Sequence, residues 1–142
     1  TVVTAQRKNR ELIWDAIRDI SGVELRTAPR GSHETADALV ISVPDRAAAL
    51  RCRTALLSRG ISTKILPEAT TWHFAGDWSH MPELVDSHGG DLANAFPRSR
   101  AILERAVSLP VMVKMSEFVP KLIRDALCES LGPARSTPGY AT

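Results

Sequence analysis

The stretch Ala38, Leu39, Val40, Ile41, Ser42 and Val43 constrains the fold more than any other part of the chain. It is an almost unbroken apolar run with β-branched residues in its second half, which predicts a strand buried on both faces. Pro44 stops the run, and Asp45 is placed to cap a following helix. That helix should extend to about Ser58 and bury Ala49, Leu50, Ala55, Leu56 and Leu57 in some combination. Gly60 ends it, and Ile61 to Leu66 reads as another strand, closed by Pro67.

The flanks fill in the architecture. From Gln6 to Ile20, the residues Leu12, Ile13, Ala16, Ile17 and Ile20 fall on one helical face, with Trp14 off that stripe and Gly22 as the stop. Val23 to Arg26 reads as a short strand, and Pro29, Gly31 and Ser32 as a turn. No period holds from Glu68 to Asn94. Pro97 opens a helix whose apolar side is Ile102, Leu103 and Ala106. Val107 to Val113 is extended and interrupted by Pro110. Ser116 is a candidate cap for a last helix that buries Val119, Leu122, Ile123, Ala126, Leu127 and Leu131, with Pro120 near its first turn and Gly132 at its end. The order is helix, strand, strand, helix, strand, long loop, helix, extended segment, helix. This predicts an α+β fold, a small antiparallel or mixed sheet with helices packed on one face. One domain should occupy residues 1–134, with a flexible tail over 135–142.

Composition excludes several classes of function. The chain has 142 residues and a net charge of +2, from 18 basic and 16 acidic side chains. The basic residues are scattered: Arg7, Lys8 and Arg10, then Arg51 and Arg53, then Arg98 and Arg100. Each group reads as a solvated helix face rather than a phosphate track, so no nucleic-acid partner is expected. No apolar run approaches the roughly 18 residues that a membrane helix needs, so no membrane partner is expected either. Cys52 and Cys128 form no CxxC pair and read as free thiols, which fits a cytoplasmic protein. Thr1 stands where an initiator Met would be, with a helix beginning almost at once, and this suggests a piece of a longer protein.

The chemistry-bearing residues are few. Trp72, Phe74 and Trp78 are three of the seven aromatic residues, gathered on the aperiodic segment 68–94. A long irregular loop with such density suits a surface that meets a sugar face, a base or a partner subunit; equally, it suits a satellite core that packs the loop onto its own domain. His73, His80 and His88 lie near Asp77, Asp86 and Asp91, but their spacing matches no compact ligand motif, and no metal is expected. There is no GxSxG, no GxGxxG and no GxxxxGK[ST], and no catalytic residue is assigned. The four lysines are Lys8, Lys64, Lys114 and Lys121, none of them in a small-residue, phosphate-cradling context.

Taken in order, several short pieces resemble the C-terminal region of the DegT/StrS-type aminotransferases, which act mostly on keto sugars. The pieces are Gln6, Arg7, Lys8 and Asn9 opening a helix, the step Val43, Pro44, Asp45 and Arg46, and the run from Leu56 through Gly60, Ile61 and Thr63 to Lys64. Phe96 and Pro97 open a further helix, and Ser108, Leu109 and Pro110 follow it. Their colinearity covers nearly the whole chain. The loop Thr71, Trp72, His73, Phe74, Ala75 and Gly76 is closer to a subgroup near perosamine synthetase and the amino-octulosonate transaminases. The resemblance implies the small domain of a fold-type-I pyridoxal-phosphate (PLP) enzyme, usually a homodimer. The large domain of the same chain would hold the PLP and its lysine. This part would be inactive alone, would bind no PLP covalently, and would close one side of the substrate pocket with Trp72, His73, Phe74 and Trp78. A second reading stays open: a free-standing α+β module that grips a ligand or partner with the loop at 68–94.

Overall fold

The structure is a computed structural model that describes residues 1–65 and 74–132. Helix α1 spans Val2–Ile17, strand β1 Glu24–Leu25, strand β2 Ala38–Ser42, helix α2 Arg46–Ser58 and strand β3 Lys64–Ile65. Two short 3₁₀ turns, Ala75–Asp77 and Leu92–Asn94, flank helix α3 at Pro82–Ser87. Helix α4 (Pro97–Leu103), strand β4 (Ala106–Pro110) and helix α5 (Val119–Leu131) complete the order. The fold is α+β, as the sequence predicts.

The four strands lie in the order β1-β2-β4-β3, and all their pairings are antiparallel. The register of β2 against β4 places Leu39 opposite Leu109 and Ile41 opposite Val107. Side chains alternate across a strand, so these four project from one face, and all four are fully buried. They form one core with Ile13 and Ile17 of α1, Ala48, Ala49, Cys52 and Leu56 of α2, and Ile123, Ala126 and Leu127 of α5. The other face of β2 carries Ala38, Val40 and Ser42, which are only half-buried. This corrects the expectation of a strand buried on both faces. Val40 made the run look continuous, but helices cover a single face of the sheet.

Local chemistry sets the element ends. The Asp45 carboxylate accepts a hydrogen bond from the Ala48 amide at 2.7 Å, the helix cap expected at that position. Helix α1 starts earlier than Gln6, because the Thr1 hydroxyl accepts from the Thr4 amide at 3.3 Å. Ser116 does not cap α5. That helix begins at Val119 with Phe118 before it, and the Ser116 carbonyl instead accepts from the Val119 amide at 3.1 Å. At Gly22 φ is +83°, and a Cβ there would sit 2.9 Å from Pro44 Cγ, so the turn after α1 and the end of β2 approach more closely than any side chain allows.

Some residues on the apolar stripes are not buried. Leu12 is 46% exposed, Leu50 41% and Leu57 45%, whereas Trp14, off the stripe in sequence, packs against the core. Polar ties lock the three long helices together. The Arg124 guanidinium donates to the Ala16 carbonyl and holds the Asp19 carboxylate at 2.5 and 2.9 Å, pinning α5 to the end of α1. Arg59 pairs with Glu129 at 2.5 Å, and Arg51 Nε donates to the Ser130 carbonyl at 3.2 Å, joining α2 to α5. Burial pushes the Cys52 thiol up to about 11, which makes it an inert core group.

Candidate functional site

The aromatic segment builds its own small core, apart from the main one. Phe74 is 4% exposed and Leu92 5%, and neither belongs to the cluster around the sheet. The Phe74 ring meets Phe96 edge to face, with centroids 6.1 Å apart and planes at 78°. The Arg100 guanidinium lies 4.7 Å from the centre of the Phe74 ring. The same guanidinium pairs with Asp77 at 3.0 Å and reaches the Ala93 carbonyl at 3.4 Å. A cation over an aromatic face adds about 0.5–1 kcal/mol at exposed sites and more when desolvated. One arginine therefore ties both 3₁₀ turns to the aromatic ring.

Gly76 explains the tight turn after Phe74. A Cβ at position 76 would lie 2.3 Å from the Phe74 ring, so only glycine lets that ring fold back under the turn. On the opposite side, the His88 ring stacks obliquely on Phe96 with centroids 5.0 Å apart. His88 Nδ1 lies 2.9 Å from the Leu84 carbonyl and 3.0 Å from the Ser87 hydroxyl. Asp91 is occupied as well, holding the side-chain amide of Asn94 at 3.0 and 3.1 Å. Among the described residues, no three His, Cys, Asp or Glu side chains converge as a metal ion would require.

The sequence-assigned residues are placed as follows. Trp72 and His73 lie outside the described residues. Phe74 is buried and acts as the anchor of the segment; Trp78, just after the first 3₁₀ turn, is half-buried. Sequence reasoning missed Asp77, Phe96 and Arg100 as parts of this cluster. It read Arg100 as a solvated helix residue, yet the side chain is 31% exposed and holds three partners. Helix α3 was also not foreseen, because its six residues are too few to show a period.

The two clearest motif pieces, far apart in sequence, meet in the sheet. Thr63 Oγ1 donates to the Ser108 carbonyl at 2.7 Å, and β3 pairs with β4 with Lys64 opposite Ser108. Lys8 and Lys114 are exposed, and Lys121 is spent on a surface pair with Asp125 at 2.5 Å. No helix among the described residues is long and apolar enough to cross a membrane.

No protein-family model matches the chain. The solved structures that share its fold include three enzymes. An aminotransferase, TlmJ from Streptoalloteichus hindustanus, superposes over 91% of this chain and 31% of its own, with a TM-score of 0.66 and 15% identity. A sugar aminotransferase, CalS13 from Micromonospora echinospora, matches over 89% of this chain and 30% of its own, with a TM-score of 0.56 and 19% identity. The E. coli GDP-4-keto-6-deoxy-D-mannose-3-dehydratase, solved with bound hydrated PLP, matches over 89% and 31%, with a TM-score of 0.60 and 10% identity. At such identities the likeness is one of fold. The chain spans about three-tenths of the length of the solved proteins it matches.

Proposed function

We propose that this chain is the C-terminal small domain of a PLP-dependent aminotransferase acting on a keto sugar, free or nucleotide-linked, of the DegT/StrS kind. The observation that carries the reading is the fold itself: nearly all of the chain superposes on about a third of three enzymes, two of them aminotransferases. The sequence resemblance supports it independently, since its pieces run colinearly from α1 through the step between β2 and α2, then β3 and α4, to β4. On this reading the cofactor and its lysine belong to the large domain, and no chemical step is assigned to the side chains of this chain. What the chain supplies is a wall of the substrate pocket. On this reading Trp72, His73 and Trp78 meet the sugar, next in sequence to Phe74, which Phe96 and Arg100 hold in place. The partners on this reading are the large PLP-binding domain of the same polypeptide and a second copy of the enzyme, in the cytoplasm.

The test uses the intact enzyme. Replacing His73 or Trp78 by Ala should raise the KM for the sugar, with melting almost unchanged. Loss of one neutral contact should cost about 0.5–1.5 kcal/mol, a change of roughly two- to tenfold. Normal KM values for both variants would refute the substrate-facing role.

A further inference from the structure

A cleft between the first turns of α1 and the segment before β2 gathers arginines around a single glutamate. Arg7 and Arg10 stand one turn apart on α1 and so share a face. Arg10 Nη2 contacts Glu34 Oε2 at 3.1 Å, and Arg26 Nη2 contacts Glu34 Oε1 at 2.5 Å. Arg7 donates through Nε and Nη2 to the Glu34 carbonyl oxygen at 3.2 and 3.1 Å. The side chains of Arg10 and Glu34 are 20% and 28% exposed, so this is not the solvated face that the sequence pattern suggested. One glutamate thus gathers three guanidiniums, which repel one another across a partly desolvated space.

Two independent features mark the same place. Arg10 Nε is shielded from solvent and has no hydrogen-bond partner among the described residues, although a buried donor is costly to leave unmade. Ala36, buried at the cleft wall, has φ of +63°, a backbone region that L-residues with a Cβ avoid. The cavity measures about 210 Å³ and is lined by Arg7, Arg10, Ser32, His33, Glu34 and Ala36. Glu11 adds a second carboxylate to the lining beside Glu34, while Arg26, outside the lining, holds the other oxygen of Glu34 and so draws its charge away from the cavity.

We propose that this cleft binds the oxyanion group, phosphoryl or carboxylate, of a small soluble ligand. Glu34 spreads and orients the arginine forks, and Arg10 and Arg7 direct their remaining donors at the anion. Arginine suits the task because its planar fork matches two oxygens of such a group at once. The site is separate from the Phe74 cluster and does not depend on the aminotransferase reading.

The experiment follows the arginine side-chain Nε–H resonances of the chain by NMR during titration with sodium pyrophosphate and, separately, sodium glutarate, at fixed ionic strength. The expected result is a saturable shift of the Arg10 signal with at least one probe. Arg7→Gln should weaken that binding by about tenfold or more, because a charge-assisted fork is lost. Arg7→Lys should fall between the two, and Arg51→Gln on α2 should leave binding unchanged. Saturation by pyrophosphate alone supports a phosphoryl ligand, and by glutarate alone a carboxylate. No saturable shift with either probe overturns the proposal, and so does binding that Arg7→Gln leaves intact. Arg7 is exposed, so its replacement spares the fold; an unchanged amide spectrum of the variant checks this.

Discussion

Phe74→Ala separates a ring that anchors its own segment from one that belongs to the main core. The ring is 4% exposed and is held by Phe96, Arg100 and the space left by Gly76. Deleting a buried phenylalanine side chain costs about 3–5 kcal/mol, the lower end applying where neighbours can collapse into the gap. Phe96 and Arg100 are only half-buried and can move inward, so about 3 kcal/mol is the appropriate figure. This loss should be local, because the Phe74 cluster shares no residue with the core around the sheet. At 1.4 kcal/mol per factor of ten, amide protection across residues 75–104 should fall by about two orders of magnitude, or vanish if less is present at the start. Protection in β4 and α5 should hold. Hydrogen exchange read by mass spectrometry resolves the segments. If 75–104 keeps its protection while the whole chain melts earlier, the ring is part of the main core and the satellite account fails.

Two further outcomes follow from the framework. Gly22→Ala forces a Cβ to 2.9 Å from Pro44 Cγ at a φ of +83°, so urea unfolding should show a loss of about 1–3 kcal/mol; an unchanged midpoint would mean the turn is free to move. The hydrogen bond from Arg124 holds the Asp19 carboxyl below its ordinary value of 3.8. A lowered folded-state value stabilises the fold above the ordinary carboxylate range, and that stability is lost as pH falls through the folded value. Asp19→Asn should therefore unfold at lower urea than the parent at neutral pH, with the difference shrinking as pH falls below 3.8, and a gap of constant size would contradict the pairing.

The framework of the fold was legible because its signals are local. Asp45 after Pro44, the stripe through Ile123 and Leu127, and Gly60 at a helix end each act within a turn or two of sequence. The burial of particular residues was less legible. Leu12 and Leu50 sit on apolar stripes yet face outward, because a helix stripe is wider than the contact the sheet offers it. Val40 has the same composition signal as Leu39 and Ile41, and only the covering of one face separates them. The charged residues were read least well. Arg100 finds Asp77 at a distance of 23 positions, and Arg10 finds Glu34 at 24, so no periodicity announces either pair. Of the four aromatic-segment residues singled out in the sequence, Trp72 and His73 fall outside the described residues, and the structure places only Phe74, buried, and Trp78, half-buried.

The central claim, that this chain is the small domain of a PLP aminotransferase, is tested most directly by locating the cofactor in the intact protein that contains it. The purified protein is reduced with borohydride, digested, and searched by mass spectrometry for a pyridoxyl-modified lysine. The account predicts one stoichiometric site, in polypeptide preceding residue 1, and none at Lys8, Lys64, Lys114 or Lys121. A single modified lysine among those four, or an intact protein that takes up no PLP, would contradict it.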